Sequence, residues 1–248
     1  MKIKKVNLIF ILLIGFSFIS HAQNVTIGTQ VWMTKNLDVS TFRNGDPIPQ
    51  AKTEEEWKKA GENRQAAWCY YDNVPANGAK YGKLYNWYAV SDPRGLAPAG
   101  YHIPSDAEWT KLEDYLGSDA GTKMKSKSGW NSYTTGGVKT CHNCANWNAE
   151  YRRKVPCHTC KDTRQVDATK VTNSGNGNNT SGFSGLPGGC RYFNGTFELI
   201  GKVGYSWSST ESRTYLAWFR ELNCNDDNAD RNYGLNKGEG LSVRCLRD

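Results

Sequence analysis

A mixed α and β domain of short strands, a few short helices and long loops is the fold class this sequence predicts. Three observations point there. Strand-and-turn signals recur along most of the chain, and only residues 53–61 and 104–117 carry helix-capping patterns. Twenty-five Gly, together with abundant Asn, favour loops over long helices. Aromatic residues make up 12%, including nine Trp and thirteen Tyr, enough to build one sizeable core.

The N-terminus, "MKIKKVNLIFILLIGFSFISHAQ", sets Lys2, Lys4 and Lys5 ahead of an apolar run over residues 6–19. Ser20 and Ala22 place small residues at the −3 and −1 positions of a cleavage site. Residues 1–22 are therefore expected to be a secretory signal peptide, with Gln23 opening an exported chain. The run is short for a membrane span, which needs about 20 apolar residues, so retention as an anchor is the lesser alternative. No later segment approaches a span.

"TIGTQVWMTKNLDV" (26–39) alternates weakly and reads as strand–turn–strand. "TEEEWKKAG" (53–61) sets Thr53 three residues before Glu56, a capping box, and stops at Gly61. "PSDAEWTKLEDYLG" (104–117) repeats the device with Ser105 and Glu108. Its Trp109, Leu112 and Leu116 share one face, and Gly117 ends it. "TNSGNGNNTSG" (172–182) is a return loop. "GGCRYFNGTFELI" (188–200) reads as a hairpin about its Asn-Gly, and residues 204–211, 214–222 and 240–248 complete a β-rich C-terminal half.

The formal charge of +7 falls to +4 once Lys2, Lys4 and Lys5 leave with the signal. Residues 138–170 hold seven Lys/Arg against Glu150, Asp162 and Asp167, which accounts for all of that +4. Basicity confined to one segment of an exported chain argues against a nucleic-acid partner and reads as a solvated loop. Residues 138–172 are expected to be a cysteine-rich hairpin inserted into a single domain spanning 23–248.

Several blocks carry a resemblance: "GTQVWMTKNLDV", "YGKLYNWYAV", "LAPAGYHIPSDAEWTKLEDYLG", "GFSGLPGGCRY", "YSWSSTE", "AWFREL" and "GLSVRCLRD". Together they resemble the Fibrobacter succinogenes major paralogous domain, a family of exported bacterial proteins with no established activity. "PSDAEW" and the closing "GLSVRC" also look like the wider formylglycine-generating-enzyme and C-type-lectin group. That likeness implies an α+β fold with a short twisted antiparallel sheet, two or three short helices and long loops. The oxidase reaction of that group is not carried over, because Cys245 lacks an accompanying catalytic pair.

"TCHNCANWNAEYRRKVPCHTC" (140–160) holds Cys141, Cys144, Cys157 and Cys160 as two Cys-x-x-Cys knuckles. Two such knuckles can meet on one tetrahedral zinc, and the twelve-residue spacer suffices for a hairpin. "KVPCHTCKDTRQV" also resembles a DnaJ-type cysteine-rich repeat, but Asp162 and Arg164 stand where that pattern has glycines. Structural zinc is the expectation, and a disulfide ladder across the same hairpin is the alternative that export favours. No thioredoxin-like setting supports a redox centre. His142 and His158 read as knuckle residues rather than ligands.

The remaining cysteines, Cys69, Cys190, Cys224 and Cys245, allow three connectivities. The lectin-like resemblance implies Cys69–Cys245, and Cys190–Cys224 would join two C-terminal strands. His102, in "GYHIP", reads as a packed histidine. Ser208, Ser209, Thr210 and Glu211 have no nearby histidine, so no catalytic set is assigned. Asp226, Asp227, Asn228 and Asp230 offer hard oxygen ligands, but without EF-hand spacing; turn chemistry is favoured over calcium. Tyr85, Trp87, Tyr88, Trp207 and Trp218 read first as core. If exposed, Trp87, Trp207 and Trp218 would stack on sugar rings. The expected function is a non-enzymatic envelope domain that binds glycan or a surface protein. An envelope enzyme on the formylglycine-generating-like scaffold, or a structural coat subunit, is the alternative.

Overall fold

The computed structural model describes residues 24–136, 138–140, 165–167 and 170–248. The chain opens with a tight hairpin, β1 (Asn24–Ile27) and β2 (Gln30–Met33), paired from Asn24↔Met33 to Ile27↔Gln30. Gly28 takes φ +60° in its two-residue turn, a conformation that side chains resist. The second expected strand stops at Met33. Leu37 and Val39 then run as extended loop, with the Leu37 amide donating to the Val243 carbonyl.

Both predicted capping boxes form. In α1 (Glu54–Glu62) Thr53 Oγ1 accepts the Glu56 amide, and the Glu56 carboxylate accepts the Thr53 amide, each at 3.1 Å. The helix passes Gly61 by one residue and ends at Glu62. Short elements follow: β3 (Trp68–Cys69), α2 (Pro75–Tyr81), β4 (Leu84–Tyr85), α3 (Trp87–Val90) and β5 (Tyr101–His102). Then comes α4 (Asp106–Leu116), capped by Ser105, with Trp109, Leu112 and Leu116 buried as their spacing predicts. α5 (Ala120–Met124) packs beside it. Five helices among the described residues exceed the two or three expected. The additional ones span four to seven residues, too short to show a helical period.

Two antiparallel pairs carry the ends of the 138–172 segment side by side. β6 (Tyr133–Thr135) pairs with β9 (Val171–Asn173), and β7 (Val138–Thr140) with β8 (Gln165–Asp167). Cys141, Cys144, Cys157 and Cys160, with His142 and His158, lie outside the described residues.

The C-terminal half forms β10 (Gly188–Arg191), β11 (Phe197–Ile200), β12 (Val203–Arg213), β13 (Leu216–Asn223), β14 (Ala229–Asn236) and β15 (Leu246–Arg247). They sort into two principal sheets rather than one: a five-stranded sheet β11-β10-β12-β13-β14, and β1-β2-β15-β5. All pairings between these named strands are antiparallel except β10 with β12, at Gly189↔Gly204. A side chain at Gly189, with φ +65°, would collide with the Glu198 carbonyl. β14 corrects the turn reading of the acidic segment 226–230. Only its start is turn; residues 229–236 zip along β13, whose ladder overrides the weak strand propensity of Asn and Asp. β15 joins β2 at Leu246↔Trp32 and β5 at Leu246↔His102, so the two ends of the domain close on each other.

Three buried arginines take the place of regular structure in the loops. Arg191 donates to the carbonyls of Gly195, Ala51 and Thr53, with Trp57 and Phe197 stacked on its guanidinium. Arg244 binds Asn36 and the Met33 and Phe183 carbonyls. Arg220 reaches Asp106, Thr110 and Glu113 across the α4–β13 interface. Each fork ties together carbonyls or carboxylates from elements far apart in sequence.

Candidate functional site

The tryptophans go inside. Trp207 is fully buried, with Nε1 donating to the Tyr85 carbonyl at 2.8 Å, and Trp87 is buried with Nε1 on the Ser208 carbonyl at 2.9 Å. Neither offers a ring face to a sugar, which corrects two of the three stacking candidates: burial of a large ring outweighs its use at the surface. Trp218 is half-buried beneath the Arg231 guanidinium, 3.8 Å from the ring centre.

The exposed aromatics are others. Phe193 is 53% and Tyr215 63% exposed, and together with half-buried Tyr88 they line a cavity of about 230 Å³ with Lys58, Arg64 and Asn236. Phe193 sits in the β10–β11 turn and Tyr215 in the β12–β13 turn, so two hairpin tips hold the rings out. The Asn236 side chain is braced by accepting the Gly238 amide at 2.8 Å. Beyond Arg64 the surface opens into a larger cavity of about 620 Å³, lined among others by Pro49, Gln50, Lys59, Gln65 and Arg94. Arg64 lines both. The two hollows adjoin at Arg64, beside the C-terminus of α1, and together form the candidate cleft.

The acids of the cleft are committed. Glu62 faces Lys58 one turn away at 3.8 Å. Asp92 is held below the usual carboxylate range, mainly by hydrogen bonds from Arg94, which also reaches Asp46. Glu56 is drawn below its ordinary pKa by the amides of Thr53 and Lys52. Behind Phe193 lies Glu239, 6% exposed, with Oε2 buried and without a hydrogen-bond partner. Burial pushes its pKa up to about 7, against a hydrogen bond from the Phe193 amide.

His102 occupies a separate, open hollow with Arg43, Ser105, Glu108 and Ser209. Its Nδ1 lies 2.8 Å from Asp248 and its Nε2 2.9 Å from Glu108. Burial alone would lower its pKa, but hydrogen bonds to the Asp248 and Glu108 carboxylates outweigh it and leave the pKa raised. With both ring nitrogens bonded to carboxylates the cationic imidazole is favoured, which disfavours the neutral form that general-base work needs. Ser105 Oγ donates to Glu108 instead of to the ring.

Neither expected disulfide is formed. Cys69, Cys190, Cys224 and Cys245 are buried free thiols. Cys69 belongs to the cluster around Trp57, Cys224 to that around Trp109, and Cys190 and Cys245 to that around Trp207; both expected pairings would bridge separate clusters. Burial pushes the pKa of Cys69, Cys190 and Cys245 up to about 12, which suppresses the thiolate. In the acidic loop, Asp226 caps Asn228 and Asp227 accepts from Thr122 at 2.6 Å. Among the described residues no three His, Cys, Asp or Glu side chains converge as a metal site.

Arg64, Phe193 and Tyr215 carry the cleft and were not singled out from the sequence. The available signal was position: Phe193 and Tyr215 are aromatics at hairpin turns, where a core residue is out of place. The family model described as Fibrobacter succinogenes major domain matches residues 25–247. No curated protein and no solved structure matches the chain.

Proposed function

The chain belongs to the Fibrobacter succinogenes major domain family, and from that premise we propose that it is an exported envelope domain that binds glycan through the cleft at the end of α1. One observation carries this reading: Phe193, Tyr215 and Tyr88 are gathered beside Asn236 and Arg64, while seven tryptophans are buried in the core. Rings held at hairpin tips give apolar faces at low entropic cost, and the adjoining amide and guanidinium supply donors for hydroxyl groups. A lectin-like or formylglycine-generating-like architecture belongs to the same proposal, supported by the closure of β15 between β2 and β5 and by the capped α4. The doubly bonded His102 supports binding over catalysis.

The test is a glycan panel read with the exported protein and with Phe193→Ala and Tyr215→Ala. Each substitution should weaken binding about tenfold, the loss expected for one stacked ring worth roughly 1.4 kcal/mol. Unchanged binding in both variants would move the site elsewhere. Zinc on Cys141, Cys144, Cys157 and Cys160 is a proposal from their spacing. Metal analysis of protein purified without chelator should find one zinc per chain, and four oxidised thiols without zinc would replace it with disulfides.

A further inference from the structure

The backbone at Arg64 carries the next step. α1 ends in a Schellman motif: the Gln65 amide donates to the Ala60 carbonyl at 2.8 Å and the Arg64 amide to the Gly61 carbonyl at 3.1 Å. The residue between, Arg64, takes φ +54°. That position is the usual place of glycine, because a Cβ in the left-handed region crowds the backbone. Arginine is strained there, and the long cation–π contact with Tyr215, 5.9 Å to the ring centre, is the only interaction of its guanidinium among the described residues. The guanidinium makes no ion pair among them. It is exposed and stands between the two hollows.

The surrounding charges leave it in the same condition. Asp92 is taken by Arg94, Glu62 faces Lys58, and Glu56 is turned onto two backbone amides. Lys59, one turn back on the large hollow, also lacks an ion pair among the described residues. The cleft therefore presents two cations without a counter-charge beside three aromatic rings. A ligand that answers both features has apolar ring faces and an anionic group.

We infer that the cleft takes an acidic saccharide, one bearing a uronate carboxylate, and that Arg64 holds that carboxylate. The inference rests on the glycan-binding reading above and names the ligand class of the same site. The planar fork of arginine matches a carboxylate with two parallel hydrogen bonds, and Lys59 adds a point charge on the open side. From position 64 the guanidinium stands over the Tyr215 side of the cleft and lines both hollows.

The experiment uses the exported protein against a panel of uronate polysaccharides, the same polysaccharides after reduction of their carboxyl groups to alcohols, and a sulfated polysaccharide. Wild type should bind uronates, lose about 10–100-fold on carboxyl reduction, and weaken as salt is raised. Arg64→Gly should lose a similar factor while melting at a higher temperature, since glycine relieves the strain. Arg64→Lys keeps charge and strain but not the fork, and should bind between the two. Lys59→Ala, on an exposed helical face, checks the charge independently with a several-fold loss.

Equal binding of reduced and unreduced chains overturns the inference and leaves glycan binding standing. So does preference for the sulfated polymer, or uronate binding indifferent to Arg64→Gly. Binding to no member of the panel removes the glycan reading itself. A lower melting temperature in Arg64→Gly would show the arginine to be structural and would also overturn the inference.

Discussion

Glu239 makes stability fall as pH rises from about 4.5 to about 7. Its carboxyl is 6% exposed, accepts the Phe193 amide, and has Oε2 buried without a partner. Burial raises its pKa from 4.5 to about 7. For a carboxyl raised on folding, the native state keeps a proton that the unfolded chain has released. The contribution is complete below the unfolded pKa of about 4.5 and is lost as pH rises through 7. A shift of that size corresponds to about 3 kcal/mol, at 1.36 kcal/mol per unit. Glu239→Gln keeps the shape and removes the titration. Urea unfolding of both proteins at pH 5 and pH 8 isolates the effect, because His102, Asp106 and the other shifted groups cancel in the difference. The variant should gain about 2.5 kcal/mol on wild type between the two pH values. Parallel pH profiles would refute the reasoning.

Arg220→Met strips the buried partner from Asp106 and Glu113, so it should cost about 3–5 kcal/mol in the same unfolding assay. A loss under 1 kcal/mol would mean that Arg231, which also pairs with Asp106, carries the interface. A thiol reagent should leave Cys69, Cys190, Cys224 and Cys245 unmodified in the native protein and react with all four once it unfolds. A peptide map with Cys69 linked to Cys245 would restore the pairing that the resemblance implied. Replacing residues 136–170 with Asn-Gly joins Thr135 to Val171, which are already paired across the β6–β9 ladder. That variant should keep a single cooperative melt, and its loss would make the segment part of the domain's core.

What could be read in advance was local. The capping boxes of Thr53 and Ser105 are complete within four residues, and the buried face of α4 follows from its spacing, so both are settled before the chain meets itself. The hairpin at Asn194-Gly195 is likewise local, and the ordered blocks named the family that the match over 25–247 bears out. Tertiary structure decided the rest, because those features depend on contacts far apart in sequence. Composition announced many tryptophans but not their placement; Trp207 is withdrawn by a bond to Tyr85, 122 residues away. β14 exists because β13 presents an open ladder to it. The thiols share a composition suited to disulfides, yet the folded core distributes them among three clusters. The cleft is the extreme case. It gathers Arg64 from a helix end, Tyr88 from a four-residue helix, and Phe193 and Tyr215 from two hairpin tips. No pattern along the chain links them, since a surface hollow is made by whichever loops the packed core leaves adjacent, and that adjacency is a property of the core.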